Sequence, residues 1–181
     1  MIRPLPQVVL FLLPLASLSA QSERATLGVE ARAYPAGVIA AGRLDLDLGR
    51  RTRIGFTAGY NLTRRGDFGE HDDERGGGGG LGVLVTTRLG DRPSGFYLGG
   101  RIDLWWLDID WTDRSPARAG TTAITVVQPT ARGGYGFSLA GGRWRLETGL
   151  ALGSEVNLRT GGERVGEGAI LLAEIGLLWR P

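Results

Sequence analysis

Between Ala25 and Trp179 the chain shows no convincing helical periodicity, and alternation of apolar with polar residues keeps returning. In RLDLDL, Leu44, Leu46 and Leu48 fall on one parity and Arg43, Asp45 and Asp47 on the other. After a basic turn, Ile54, Phe56, Ala58, Tyr60 and Leu62 alternate with Gly55, Thr57, Gly59 and Asn61. Successive side chains of a strand point to opposite faces, so this spacing predicts sheet with one apolar and one polar side. A soluble sheet turns the leucines to a core; a membrane barrel turns them to lipid and the aspartates to the lumen.

The first run, TLGVEARA, sets Leu27, Val29, Ala31 and Ala33 against Glu30 and Arg32, and Tyr34-Pro35-Ala36-Gly37 reads as a turn. LDLDL closes a second strand, and the third follows Gly49 to Thr52. Arg64 to Gly80, with its five glycines, reads as a long polar loop. The fourth strand carries Leu81, Val83, Val85 and Leu89; the fifth carries Phe96, Leu98, Ile102, Leu104 and Trp106. At Trp106-Leu107 the apolar parity slips to Leu107, Ile109 and Trp111, which predicts a β-bulge. After a loop at Thr112 to Thr121, a sixth strand runs from about Ala123 to Leu139, with Pro129 demanding an edge, an end or a bulge. The seventh sets Trp144, Leu146, Leu150 and Leu152 against Arg145 and Glu147. A loop at Arg159 to Gly166 leads to the eighth, with Ala169, Leu171, Ala173, Ile175, Leu177 and Trp179.

The N-terminus has Arg3, a short apolar run from Val8 to Leu15, and small residues from Ala16 to Ala20. That layout is a secretory signal peptide over 1–20, cut after Ala20 or alternatively Ser19, with one domain over 21–181. Roughly 20 apolar residues are needed to span as a helix, and this run is shorter and broken by Pro14. Cysteine is absent, which excludes disulfides and thiolate metal sites. A net charge of +2 gives no case for nucleic acid as partner.

Three features favour the membrane reading. Turns after the second, fourth and sixth strands are short, and the loops after the third, fifth and seventh are longer and polar. The polar parity holds a balanced set of charges: Arg32, Arg43, Arg88, Arg101, Arg132, Arg143 and Arg145 with Glu30, Asp45, Asp47, Asp103, Glu147, Glu155 and Glu174. An eight-stranded lumen is just wide enough for side chains, so these charges would pair. Aromatics gather near strand ends: Phe96, Tyr97, Tyr135, Phe137, Trp144 and Trp179 at one, and Tyr34, Tyr60, Trp106 and Trp111 at the other. The alternative is a secreted soluble β-barrel or sandwich, which would hide the apolar face.

On this pattern the chain resembles the small outer-membrane β-barrels of Gram-negative bacteria, of the OmpA/OmpX type. The ending Glu174-Ile175-Gly176-Leu177-Leu178-Trp179 is similar to the last-strand signal of that group, although Pro181 stands where a terminal phenylalanine is usual. The resemblance implies an all-β fold of eight antiparallel up-and-down transmembrane strands. It also implies outer-membrane lipid and the outer-membrane assembly machinery as partners, and a monomer; because the sequence stops with the eighth strand, no periplasmic peptidoglycan-binding domain is expected after the barrel.

No catalytic, cofactor or metal site is expected. His71 in GEHDDER, beside Glu70, Asp72, Asp73 and Glu74, suits a His/Asp pair or a divalent cation, but reads more simply as a solvated charged loop. Some barrels of this kind modify lipid A with a His-Ser pair; no histidine lies near Ser138 or Ser154. GGGGG lacks the Gly-Lys-Ser/Thr of a phosphate loop. The function expected is non-enzymatic, structural or surface-interacting through the outer loops. A narrow passive channel or a small-molecule-binding barrel is the alternative.

Overall fold

The computed structural model describes residues 25–66 and 69–181, so the expected signal peptide lies outside the described residues. Eight strands follow in order: β1 (Ala25–Tyr34), β2 (Gly37–Asp47), β3 (Thr52–Gly66), β4 (Asp73–Arg88), β5 (Gly95–Arg114), β6 (Ala117–Leu139), β7 (Trp144–Gly161) and β8 (Gly168–Trp179). Each pairs antiparallel with its neighbour in sequence, and β8 returns to β1, with Leu27 opposite Trp179 and Ala33 opposite Ala173. Closure leaves no unpaired edge, which a sheet in lipid cannot tolerate. The β6–β7 turn passes through Gly141 (φ 67°) and Gly142 (φ 93°), left-handed backbone that glycine adopts without a steric penalty.

The outer surface is apolar. Val29, Leu62, Ile102, Leu150 and Leu152 are each 58–63 % exposed, and Leu81, Leu171 and Ile175 stand out beside them. A water-soluble monomer does not present so continuous a greasy belt, whereas the lipid face of a transmembrane barrel does.

Three expectations about connections are corrected. Most of Arg64 to Gly80 is strand: Thr63 pairs with Gly76 and Arg65 with Glu74, so only residues 67–72 connect β3 to β4. The glycine run lies inside β4, and its inward positions, Gly76, Gly78 and Gly80, leave no room for a side chain, whereas Gly79 faces outward with space around it. A Cβ at Gly80 would collide with the Trp105 indole, and one at Gly78 with the Trp106 carbonyl. Thr112 to Thr121 is a continuing ladder, with Asp113 opposite Arg118, that turns only at Ser115 and Pro116. β7 likewise runs to Gly161, leaving 162–167 as the last connection. The end asymmetry therefore comes from prolonged strands rather than long loops.

No bulge occurs at Trp106-Leu107, because the register of β5 is unbroken there against β6 and keeps one value along β4. Tyr97, Arg101, Asp103, Trp105, Leu107, Ile109 and Trp111 all face inward; Phe96, Leu98, Ile102, Trp106, Asp108 and Asp110 all face outward. The side chains keep their sides while the surroundings change. Below Trp106 the outside is lipid and the inside charged; above it the outside is water and the inside apolar. The register shift falls instead between Thr125 and Val126, where Leu158 of β7 is left without a partner on β6. Pro129 lies within β6, where the ladder to β7 lapses between Val127 and Thr130 without a change of register.

Candidate functional site: a charged lumen beneath an apolar core

The inward parity of the strands brings guanidinium and carboxylate groups into one connected network. Arg43 holds Asp45 (Nε–Oδ1 2.7 Å) and Glu147 (3.0 Å), and Arg53 holds the same two acids. Arg145 reaches Glu147 at 2.9 Å and Arg132 reaches Glu174 at 2.8 Å. Arg101 bridges Glu30 (2.7 Å) to Glu174 (3.4 Å), and Arg32 links Glu30 to Asp103. Ten of these eleven residues are buried, and Arg145 is half-buried at the open end. A charge in so narrow a lumen persists only when paired and hydrogen-bonded, and here each acid meets at least one arginine.

Membership differs from the sequence-based set. Asp47, Arg88 and Arg143 stand at the mouth beside the short turns, where water reaches the strand ends. Asp47 binds Arg180 there at 2.8 Å, Arg88 donates to the carbonyls of Arg50 and Arg92, and Arg143 is exposed. Three lumen residues were missed: Arg53, Arg65 and Glu74. Arg65 pairs with Glu74 at 2.9 Å and with Glu155 at 2.6 Å, above the main network. Parity was the available signal for two of them, since Arg53 and Arg65 share that of Gly55 and Asn61. Reading Arg64 to Gly80 as loop hid Arg65 and Glu74. Counting both groups, Arg32, Arg43, Arg53, Arg65, Arg101, Arg132 and Arg145 face Glu30, Asp45, Glu74, Asp103, Glu147, Glu155 and Glu174.

Above the main network the lumen fills with apolar side chains, Ile39, Trp105, Leu107, Ile109, Ile124, Val126 and Leu172, all nearly inaccessible, and the Arg65–Glu74 pair lies toward the cap, with Glu74 opposite Trp111. Trp105 Nε1 donates to Gln128 Oε1 at 2.8 Å, so its polar end is satisfied inside this core.

The segment holding His71 closes the top, and it is not a solvated loop. His71 is 7 % exposed and stacks on Trp111 with ring centroids 4.1 Å apart. Its Nε2 donates to the Arg164 carbonyl (2.9 Å) and its Nδ1 lies 3.0 Å from Asp113 Oδ1. Glu74 Oε1 accepts from the backbone N–H groups of Glu70 and Gly166. Asp72, Asp73 and Glu74 are thus turned to backbone and arginine partners, Glu70 is exposed, and among the described residues no metal-ligating cluster forms. Burial pushes the Asp113 carboxyl up, but hydrogen bonds from His71 and Arg118 prevail and hold it below the usual carboxylate value. A lowered acid stabilises the fold above its unfolded value, about 4, and loses that contribution as pH falls through the folded one. Hydrogen-exchange protection factors at residues 69–74, corrected for the intrinsic slowing of exchange in acid, are therefore expected to fall between about pH 5 and 3; protection unchanged across that range would remove Asp113 from the cap.

The aromatics divide. Phe96, Tyr135, Phe137, Trp144 and Trp179 cluster outside at the short-turn end, with Phe96–Tyr135 centroids at 5.0 Å and Trp144–Trp179 at 6.4 Å. Tyr60 (52 % exposed) and Trp106 (50 %) face outward at the upper edge of the belt. Tyr34, Tyr97 and Trp111, expected in the belts, point inward and are buried. The Tyr34 hydroxyl donates to Asn61 Oδ1 (2.9 Å), and the Arg132 guanidinium lies 5.0 Å from the Tyr97 ring centre. A lumen of charged and amide groups offers these polar tips partners that lipid does not.

No family model matches the sequence, and no curated protein matches it. Solved structures do match in fold. Neisserial surface protein A superposes with a TM-score of 0.56 at 12 % identity, covering 87 % of this chain and 95 % of that one. A major outer membrane protein from Thermus thermophilus gives 0.57 at 15 % identity, covering 87 % and 99 %. With its eight-membered closed ring, lipid-facing belt and charged interior, the chain is an eight-stranded transmembrane β-barrel of the outer-membrane type.

Proposed function

We propose that this barrel serves the bacterial outer membrane as a non-enzymatic, non-conducting protein that displays a rigid extension at the outer face. The observation that carries this reading is the doubly filled lumen, an ion-pair network below and the Trp105 core above. An ion crossing it would have to break buried pairs and then enter an apolar plug, both unfavourable by several kcal/mol. The extension is built by the prolonged β5–β6 hairpin, whose outward side carries Asp108, Asp110 and Thr121, and by the cap around His71. Such polar, strand-backed surface suits contact with a soluble or cell-surface partner. The last strand, ending Glu174 to Trp179, would deliver the chain to the assembly machinery, and the barrel would work as a monomer.

Purified protein in planar bilayers is expected to give no steady conductance; a sizeable, stable conductance would restore the channel reading. Unheated samples in detergent are expected to migrate differently from boiled ones on gels, as a barrel that resists unfolding does. Release from cells without detergent would return the soluble alternative.

A further inference from the structure

The mouth at the short-turn end opens into a concave space of about 440 Å³, the size of a small-molecule site. Seven arginines line it against a single acid, Asp47. They come from separate elements: Arg50 and Arg51 from the β2–β3 turn, Arg88 from β4, Arg143 and Arg145 from the start of β7, and Arg180 after β8. Arg53 and Arg145 form the floor where the lumen network ends.

Four of the seven have a carboxylate partner, Arg53 and Arg145 through Glu147 in the floor, and three have none among the described residues. Asp47 serves Arg180, and Asp91 serves Arg51 at 2.7 Å. Arg88 is held only by the carbonyls of Arg50 and Arg92, which fix its guanidinium without cancelling its charge. Arg145 donates to the Pro93 carbonyl at 2.7 Å as well as to Glu147 at 2.9 Å, and its Nη2 is buried with no acceptor. Arg50 and Arg143 have no carboxylate partner among the described residues. Arg53 and Arg145 are shared with the network beneath, whose other members are the arginines Arg32, Arg43, Arg101 and Arg132 and the acids Glu30, Asp45, Asp103, Glu147 and Glu174, so the excess positive charge lies in the mouth itself. Like charges crowded in a concave, low-dielectric wall focus a positive field and repel one another until an anion enters.

We propose that this basin binds a compact multivalent phosphate, as a soluble oligophosphate or the headgroup of an anionic lipid. Guanidinium forks match phosphate oxygens two at a time, and forks converging from four sides favour several negative charges at one point over a single carboxylate. The site rests on side-chain placement alone, so it can fail while the sealed-barrel reading stands, and the reverse.

The probe is inorganic triphosphate, titrated calorimetrically into the full-length barrel in zwitterionic detergent at low salt. One saturable site is expected, weakened at least ten-fold in an Arg50→Gln/Arg143→Gln double variant and unchanged in Arg159→Gln at the opposite end. Both altered side chains are exposed and unpaired, so folding is not at stake, and heat-modifiable migration checks it. Absence of saturable binding, or equal weakening by Arg159→Gln, overturns the proposal. Repeating the titration in phosphatidic acid and in phosphatidylcholine nanodiscs identifies the source. Ten-fold competition by phosphatidic acid assigns the basin to a headgroup, and equal affinity in both assigns it to a soluble anion.

Discussion

Replacing Glu147 by alanine is expected to destabilise the barrel by about 3–5 kcal/mol, the cost of leaving buried charge uncompensated. Glu147 lies within ion-pair distance of Arg43, Arg53, Arg132 and Arg145, more arginines than any other lumen acid meets. Its removal strips Arg145 of its only carboxylate and leaves Arg53 with Asp45 alone. Glutamine in its place keeps the volume and some hydrogen bonding but not the charge, so Glu147→Gln should fall between wild type and Glu147→Ala. Equilibrium urea unfolding in lipid vesicles measures all three. A loss below about 1 kcal/mol in the alanine variant would mean that water and counterions, not Glu147, neutralise the lumen arginines. Conversely, replacing a whole pair by apolar groups could be neutral, because buried pairs regain little more than their desolvation cost.

The second large effect tests the change of surroundings along β5. Leu107→Asp is expected to prevent stable folding of the outer extension, with a loss of several kcal/mol, because Leu107 is 2 % exposed inside the apolar core. Asp108→Leu, one residue on, is expected to shift stability by about 0.5 kcal/mol or less, since Asp108 faces outward into water. A bulge at Trp106-Leu107 would reverse the ranking: Leu107 would meet lipid or water and Asp108 would point inside. Trypsin resistance of the extension, followed beside urea unfolding, separates local loss of the β5–β6 hairpin from collapse of the whole barrel.

The same segment shows how far the sequence could be read. Strand number, antiparallel order and the lipid-facing parity of Leu27, Phe56, Val83, Leu98, Leu150 and Ile175 were all legible, because period two is a local consequence of backbone geometry. Much of the charged interior was legible for the same reason. What misled was the assumption of one environment per strand. Leu107, Ile109 and Trp111 looked displaced by a bulge only because the lipid outside was taken to continue above Trp106. The glycine run from Gly76 to Gly80 carried no parity, so β4 could not be extended through it. Without that extension Arg65 and Glu74 stayed in a loop, and His71 could not be seen to close the barrel.

By itself, then, the sequence determined the strands, their even number and which side of each one is greasy, since those follow from alternation along one chain. Only the tertiary structure decided which arginine meets which acid, that Tyr34, Tyr97 and Trp111 turn inward, and that an apolar core fills the lumen above its main ion-pair network. These depend on neighbours brought together by barrel closure: Glu147 meets Arg43 across 104 positions of chain, and Arg32 meets Asp103 across 71. Alternation assigns a side chain to a face. The height at which lipid gives way to water, and the partner waiting across the lumen, are set by packing that no single strand contains.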